Sequence, residues 1–169
     1  MHLPNDKPSA SSPGVRAPHV GVAFLLSQVG AHAADDFAER LQAVELRPHE
    51  AGVLRILGSN PGLTQKALSE LLGVLPSQLV VLLDALEGKA LVERRNTPAD
   101  RRRYQLHLTP AGRRALNTVA RITKEMETHL LRALSRRERS DLLALLQRLS
   151  SAAKITAGVH PSYRRIAKR

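Results

Sequence analysis

The chain contains no cysteine and no tryptophan. Without thiols there is no disulfide framework, no thiolate zinc finger and no cysteine-based redox switch. Two Phe and two Tyr are the only other aromatics, too few platforms for a module that binds single strands by stacking their bases. Hydrophobic residues still make up 43% of the 169 positions, enough for one domain whose core must be aliphatic. No run approaches the roughly 18 to 20 apolar residues of a membrane span, and the opening MHLPNDKPSASSPGVRAP lacks the apolar stretch of a secretory signal. A cytoplasmic location and no membrane partner are the default expectations. Enzyme signatures are missing as well: there is no G-x-S-x-G elbow, no GxxxxGK[ST] phosphate loop and no glycine-rich dinucleotide loop. No catalytic residues and no cofactor are expected.

What the chain does have is positive charge, +11 net, which favours a polyanionic partner through local concentration at phosphate backbones. Its distribution is uneven. The segment 154–169 carries Lys154, Arg164, Arg165, Lys168 and Arg169 with no acid, and 93–103 carries Arg94, Arg95, Arg101, Arg102 and Arg103 against Glu93 and Asp100.

Pro, Ser, Ala and Gly dominate 1–19, a composition that buries too little surface to offset ordering entropy, so this stretch reads as a disordered arm. Over about 20–45, Val22, Leu25, Leu26, Val29, Ala33, Phe37, Leu41 and Val44 recur at helical spacing. After LRPH, Val53, Leu54 and Leu57 mark a short helix ended by GSNPG, and Thr64 stands at an N-cap position ahead of QKALSELLG. A turn at GVLP leads into SQLVVLLDALE, with Pro76 suited to the first turn of that helix. ALVERRN and RRRYQLHLT then read as two strands around a polar tip, with Tyr104, Leu106 and Leu108 alternating with Gln105 and His107. Thr109-Pro110 restarts a helix carrying Leu116, Val119, Ile122, Met126 and Leu130; Ser135-Arg136-Arg137-Glu138 forms a capping box before a last helix with Leu142, Leu143, Leu145, Leu146 and Leu149. The residues from 154 read as a loose basic tail.

Two short helices joined by a tight turn and followed by a basic hairpin predict a winged helix-turn-helix. The second short helix fits a major groove, and the hairpin reaches the adjacent backbone and minor groove. Within SQLVVLLDALE, Leu79, Leu82, Leu83 and Leu86 follow i, i+3, i+4, i+7 spacing and seat the helix on its lobe. The opposite arc holds Ser77, Gln78, Val81, Asp84 and Ala85; Val80 and Val81 are the residues that packing leaves unexplained. A valine in the major groove can touch the thymine methyl, so changing Val81 to Asn or Arg should alter preference at one T-containing position. Arg94 and Arg95 alternate across a strand, so at most one of them faces DNA squarely. The broad leucine arc of the last helix and the apolar side of the first exceed what one neighbour buries, which favours a second chain.

The stretches LRPHEAGVLRIL, NPGLTQKALSELLGV, LDALEGKALVERR and NTPADRRRYQLHLTPAG resemble the MarR family of transcription regulators. The most specific part, DRRRYQLHLTPAG, matches the wing motif D-x-R-x-x-x-L-x-L-T-x-x-G at Asp100, Arg102, Leu106, Leu108, Thr109 and Gly112. The resemblance implies a mainly α fold with a small β-hairpin wing. Its winged helix-turn-helix lobe spans 47–109, within a domain at 20–153 whose N- and C-terminal helices, 20–46 and 110–153, form a homodimer. It implies binding to a palindromic operator in double-stranded DNA and repression relieved by a small ligand. Carried over by position, DNA-binding residues are Thr64, Gln65, Ser77, Gln78, Val81, Arg94, Arg101, Arg102 and Arg103, with Asp100 supporting the wing. Leu25, Val29, Leu142, Leu145, Leu146 and Leu149 fall on the dimerisation helices. The effector would be a phenolic or anionic compound, another small molecule, or absent. Three departures stand out: Val80 and Val81 occupy positions commonly polar and arginine, Ala85 replaces a frequent basic residue, and Ala90 stands where glycine is usual before LVER. The last predicts a helix that ends differently or sooner, because a non-glycine in left-handed geometry costs on the order of 1 kcal/mol.

The seven histidines (His2, His19, His32, His49, His107, His129 and His160) form no i, i+4 pair and no HExxH, Val53 standing where a second ligand would follow His49-Glu50. Solvated or capping roles are expected, and no metal site. Two further readings stay open: a sequence-tolerant architectural DNA-binding protein, and a protein-interaction module that uses Val80 and Val81.

Overall fold

Helices begin where capping side chains and prolines stand. The computed structural model describes residues 20–97 and 100–163, and for 97 and 100–103 the backbone alone. The expected arm over 1–19 and the end of the expected tail, 164–169, lie outside the described residues. The order is α1 (Val22–Gln42), α2 (Pro48–Ser59), β1 (Leu63–Thr64), α3 (Gln65–Leu72), α4 (Pro76–Gly88), β2 (Val92–Thr97), β3 (Asp100–Leu108), α5 (Pro110–Leu130) and α6 (Arg136–Ala152). Thr64 Oγ1 accepts from Ala67 N at 3.2 Å and Thr109 Oγ1 from Gly112 N at 2.9 Å. Ser135 and Glu138 exchange both bonds of the capping box, at 3.3 and 2.7 Å. Pro48, Pro76 and Pro110 each fill a first helical position, where their missing N–H has no intrahelical partner to lose.

The hairpin β2–β3 pairs antiparallel, Val92 opposite Leu108 and Asn96 opposite Tyr104, with a register shift at Asn96/Thr97 that leaves Thr97 opposite Asp100. A third strand, β1, joins on the other side of β3 through Leu63–Leu106 and Thr64–Gln105, giving the order β1-β3-β2. The sheet, α2, α3, α4, the end of α1 and the middle of α5 enclose one aliphatic core of Leu41, Val53, Leu54, Leu57, Leu68, Leu72, Leu79, Leu83, Leu86, Leu106 and Val119, among others. Leu106 and Leu108 point into this core, whereas Tyr104, in the same alternation, is half exposed because the hairpin runs past the edge of the lobe. Helix α6 contributes no buried residue. Among the described residues no single helix is long and apolar enough to cross a membrane.

The expectation of a loose tail from 154 onward is corrected for residues 155–163, which return to the lobe. Tyr163 is 2% exposed; its ring sits over Gly52, where a Cβ would come within 2.1 Å of the Tyr163 hydroxyl oxygen. That hydroxyl donates to His49 O at 2.5 Å, and Arg55 donates to Gly158 O at 2.9 Å. The physical reason is that a tyrosine brings enough apolar area to dock and a glycine on α2 supplies the space. The histidine reading changes with it. His49 is half-buried, its ring edge-on to Tyr163 with centroids 4.9 Å apart, and burial holds its imidazolium form down.

Candidate nucleic-acid interface

A Gly-to-carbonyl turn aims the second short helix outward. Gly73 ends α3 in the left-handed region at φ 65°, and the buried Ser69 hydroxyl donates to Val74 O at 2.7 Å, fixing the turn. The chain bends by 112° between α3 and α4, in the range of helix-turn-helix pairs. Leu79, Leu83 and Leu86 then point fully inward with Leu82 partly covered, and Ser77, Val81, Asp84 and Ala85 point out. Val81 is 70% exposed. Gln78 lies at the edge and accepts from Leu75 N at 3.1 Å, closing the first turn of its own helix. Thr64 and Gln65 sit partly covered at the start of α3, Thr64 engaged as the N-cap.

Arg94, expected to reach DNA, donates within the chain to both acids of α4, to Asp84 at 2.8 Å and to Glu87. Strand β2 returns alongside the C-terminal half of α4, so these carboxylates are the nearest anions; the guanidinium is 24% exposed. Its two-sided reach ties the wing to the outward helix and offsets one of the two acidic charges on α4. Arg95 pairs with Glu93 of its own strand at 2.5 Å, both groups largely in solvent, a contact worth little. Asp100, Arg101, Arg102 and Arg103 lie in β3 by backbone, and their side chains lie outside the described residues.

The base of the wing explains the remaining motif positions. Thr109 Oγ1 donates to Ala90 O at 2.6 Å and Thr109 N to Leu91 O at 3.1 Å. A Cβ on Gly112 would lie 1.9 Å from Leu91 O, so only glycine lets the first turn of α5 rest on this backbone. Ala90 meanwhile holds φ 54°, which overturns the expectation that its missing glycine makes the helix stop differently. The α4 stop keeps left-handed geometry because Ala90 N bonds Glu87 O at 2.8 Å and Leu91 N bonds Leu86 O at 2.9 Å, and the wing holds Ala90 O. An ion pair that no local pattern announces anchors the same helix end: Lys89 Nζ meets the buried carboxylate of Glu50 at 2.8 and 2.9 Å and Glu45 O at 2.7 Å. Glu50 also accepts from Arg47 N at 2.8 Å at the start of α2. Both partners were visible only as helix-terminal charges of favourable sign; their pairing joins positions 39 apart.

The helices outside the lobe present apolar side chains to solvent. Leu25 and Val29 on α1 and Leu145, Leu146 and Leu149 on α6 are exposed, Leu149 by 53%, while Leu142 is partly covered.

Residues 45–103 match the profile described as MarR family. A protein of Thauera aromatica, assigned by name to transcriptional regulation of the hcr operon, is 38% identical over 114 residues, covering 67% of this chain and 69% of its own length. Among solved structures, the transcriptional repressor CouR bound to a 23-mer DNA duplex is similar at 33% identity and a TM-score of 0.68, over 76% of this chain and 92% of that one. Wild-type MarR from E. coli shares the fold at 22% identity and a TM-score of 0.68, over 79% of this chain and 98% of that one. With α4 and the wing set side by side as described, the chain belongs to the MarR family of transcriptional regulators.

Proposed function

We propose that the chain works as a homodimeric repressor that binds a palindromic operator in duplex DNA. The observation that carries this reading is α4 held outward beside the basic wing, with Val81 and Ser77 uncovered at its centre and start. CouR, similar over 76% of this chain, is bound to a DNA duplex, which supports duplex DNA as the partner. Phosphate neutralisation by wing arginines would supply most of the affinity, and α4 with Arg102 the selectivity. Dimerisation is supported by α6, which buries no residue within its own chain yet exposes Leu145, Leu146 and Leu149, the composition of an obligate interface. Two lobes fixed by that interface would read half-sites about one helical turn apart.

Relief of repression by a small molecule is part of the proposal. A cavity of about 290 Å³ between the end of α3 (Glu70–Gly73) and the segment after α6 supports it, with Lys154 and His160 as cationic or hydrogen-bonding lining. A ligand favouring a dimer with the wrong spacing between recognition helices would release DNA. Titration calorimetry with phenolic and anionic compounds tests this, and uniform silence would make the protein a constitutive binder.

Selection from a randomised duplex library tests the central reading. A single palindromic motif, together with a dimer in sedimentation, is the expected result. One feature favours the architectural alternative: α4 carries no basic side chain among Pro76–Gly88. Equal competition by operator and random duplex at matched salt would decide for it, because specificity is a ratio.

A further inference from the structure

We propose that α4 reads the 5-methyl group of thymine, with Val81 as the residue that determines this preference; the inference rests on the DNA-binding function proposed above. Base edges in the major groove present hydrogen-bond donors, acceptors and a single apolar group, the methyl of thymine. On the exposed arc of α4, the carboxylates of Asp84 and Glu87 are both held by Arg94. Gln78 spends its amide oxygen on Leu75 N. Ser77 offers one hydroxyl at the first turn, and beyond it stand Val80, Val81 and Ala85. Val81, 70% exposed, is one turn past Ser77 on the same line of the helix, where a helix lying in the groove comes nearest the base edges.

The surrounding electrostatics agree with a methyl-reading face. Free carboxylates on α4 would repel phosphates; the clamp from Arg94 cancels one of the two charges and reduces that penalty without placing a cation among the bases. What remains at the middle of the helix is hydrocarbon, and the complementary feature of duplex DNA is hydrocarbon too. Leu75, also exposed at the start of α4, extends the same surface toward the groove edge.

The test uses the full-length protein and the operator recovered from the library selection, in which each thymine of a half-site is replaced in turn by deoxyuridine. This deletes one methyl and leaves every hydrogen-bonding group in place. At one position in each half-site the exchange should weaken binding about fourfold, the factor for one buried methyl-sized group, and about fifteenfold when made in both half-sites. In Val81→Ala, whose change is on the surface and leaves the core intact, the thymine–deoxyuridine difference at that position should fall below about twofold. Replacing that T·A pair by C·G should weaken binding, and 5-methylcytosine at the same position should recover part of the loss. Equal affinity for thymine and deoxyuridine duplexes at every position, with operator binding intact, overturns the inference and leaves the proposed function standing. A methyl effect that persists unchanged in Val81→Ala also overturns it. If no selective duplex emerges from the library, both fall together.

Discussion

Replacing Ala90 with glycine should make this protein more stable, against the usual direction of alanine-to-glycine changes. Ala90 sits at φ 54° directly after α4, where a Cβ meets the following carbonyl oxygen and costs roughly 1 to 2 kcal/mol. Glycine removes that repulsion but adds backbone freedom to the unfolded chain, a loss of about 0.4 to 1 kcal/mol. The difference is a net gain of about 0.5 to 1 kcal/mol. For a chain of this size that raises the melting temperature by roughly 1 to 4 °C. The bonds that hold the turn are made by backbone atoms, Ala90 N to Glu87 O and Ala90 O from Thr109 Oγ1, so the substitution leaves them in place. Thermal unfolding followed by circular dichroism, with chemical denaturation to obtain the free energy, measures the effect. A destabilisation, or no change beyond error, would refute the left-handed strain and mean that α4 ends without it.

Changing Gly112 to Ala should destabilise by about 3 kcal/mol, since the new Cβ would lie 1.9 Å from Leu91 O and backbone must shift; a melting temperature near wild type would deny the close approach. Arg94→Gln should weaken operator binding by on the order of 1 kcal/mol by releasing Asp84 and Glu87 toward phosphate, and a variant that also carries Asp84→Asn and Glu87→Gln should recover it in a gel-shift titration. Arg102→Ala should weaken the operator complex by about 1 to 3 kcal/mol, and unchanged affinity would remove Arg102 from the site. For His49, burial lowers the folded-state affinity for a proton below that of the unfolded chain, so the unfolded state binds more protons as acid is added. Stability should therefore be unaffected above the unfolded value near pH 6.5 and decline below it; denaturation midpoints across pH 5 to 8, compared with His49→Gln, measure whether that slope disappears.

Features set by neighbours in sequence were legible; those set by distant partners were not. Thr64, Ser135 and the prolines at first helical positions declare helix starts because a cap is a bond across three residues. The leucine spacing of α4 likewise separates its inward face from Val81. Strand β1 escaped because two residues carry no period, and it exists only through pairing with β3. Arg94 looked like a wing cation because the alternation of Arg94 and Arg95 tells sides apart but not which side holds Asp84 and Glu87. The docking of Tyr163 joins residues 114 apart; in a chain with two tyrosines, the presence of one of them in the basic segment after α6 was the available hint.

Several of the contacts that hold α4 share a location. Lys89–Glu50 fixes the C-terminal end of α4 to the start of α2, Arg94 ties its outer face to β2, and Ala90 passes the chain to a wing base that Thr109 and Gly112 press onto α5. Helix α5 is also the element that leads out of the lobe toward α6. A helix fastened at its far end and side, and seated by Leu79, leaves Ser77 and Val81 on the opposite arc exposed. Any change in the angle of α5 would be passed through Leu91 to α4 as a rigid displacement, because the Gly112 contact leaves no room for a side chain to absorb it. In the dimer proposed above, the Gly112 contact would be the joint through which the interface sets the spacing of the two α4 helices.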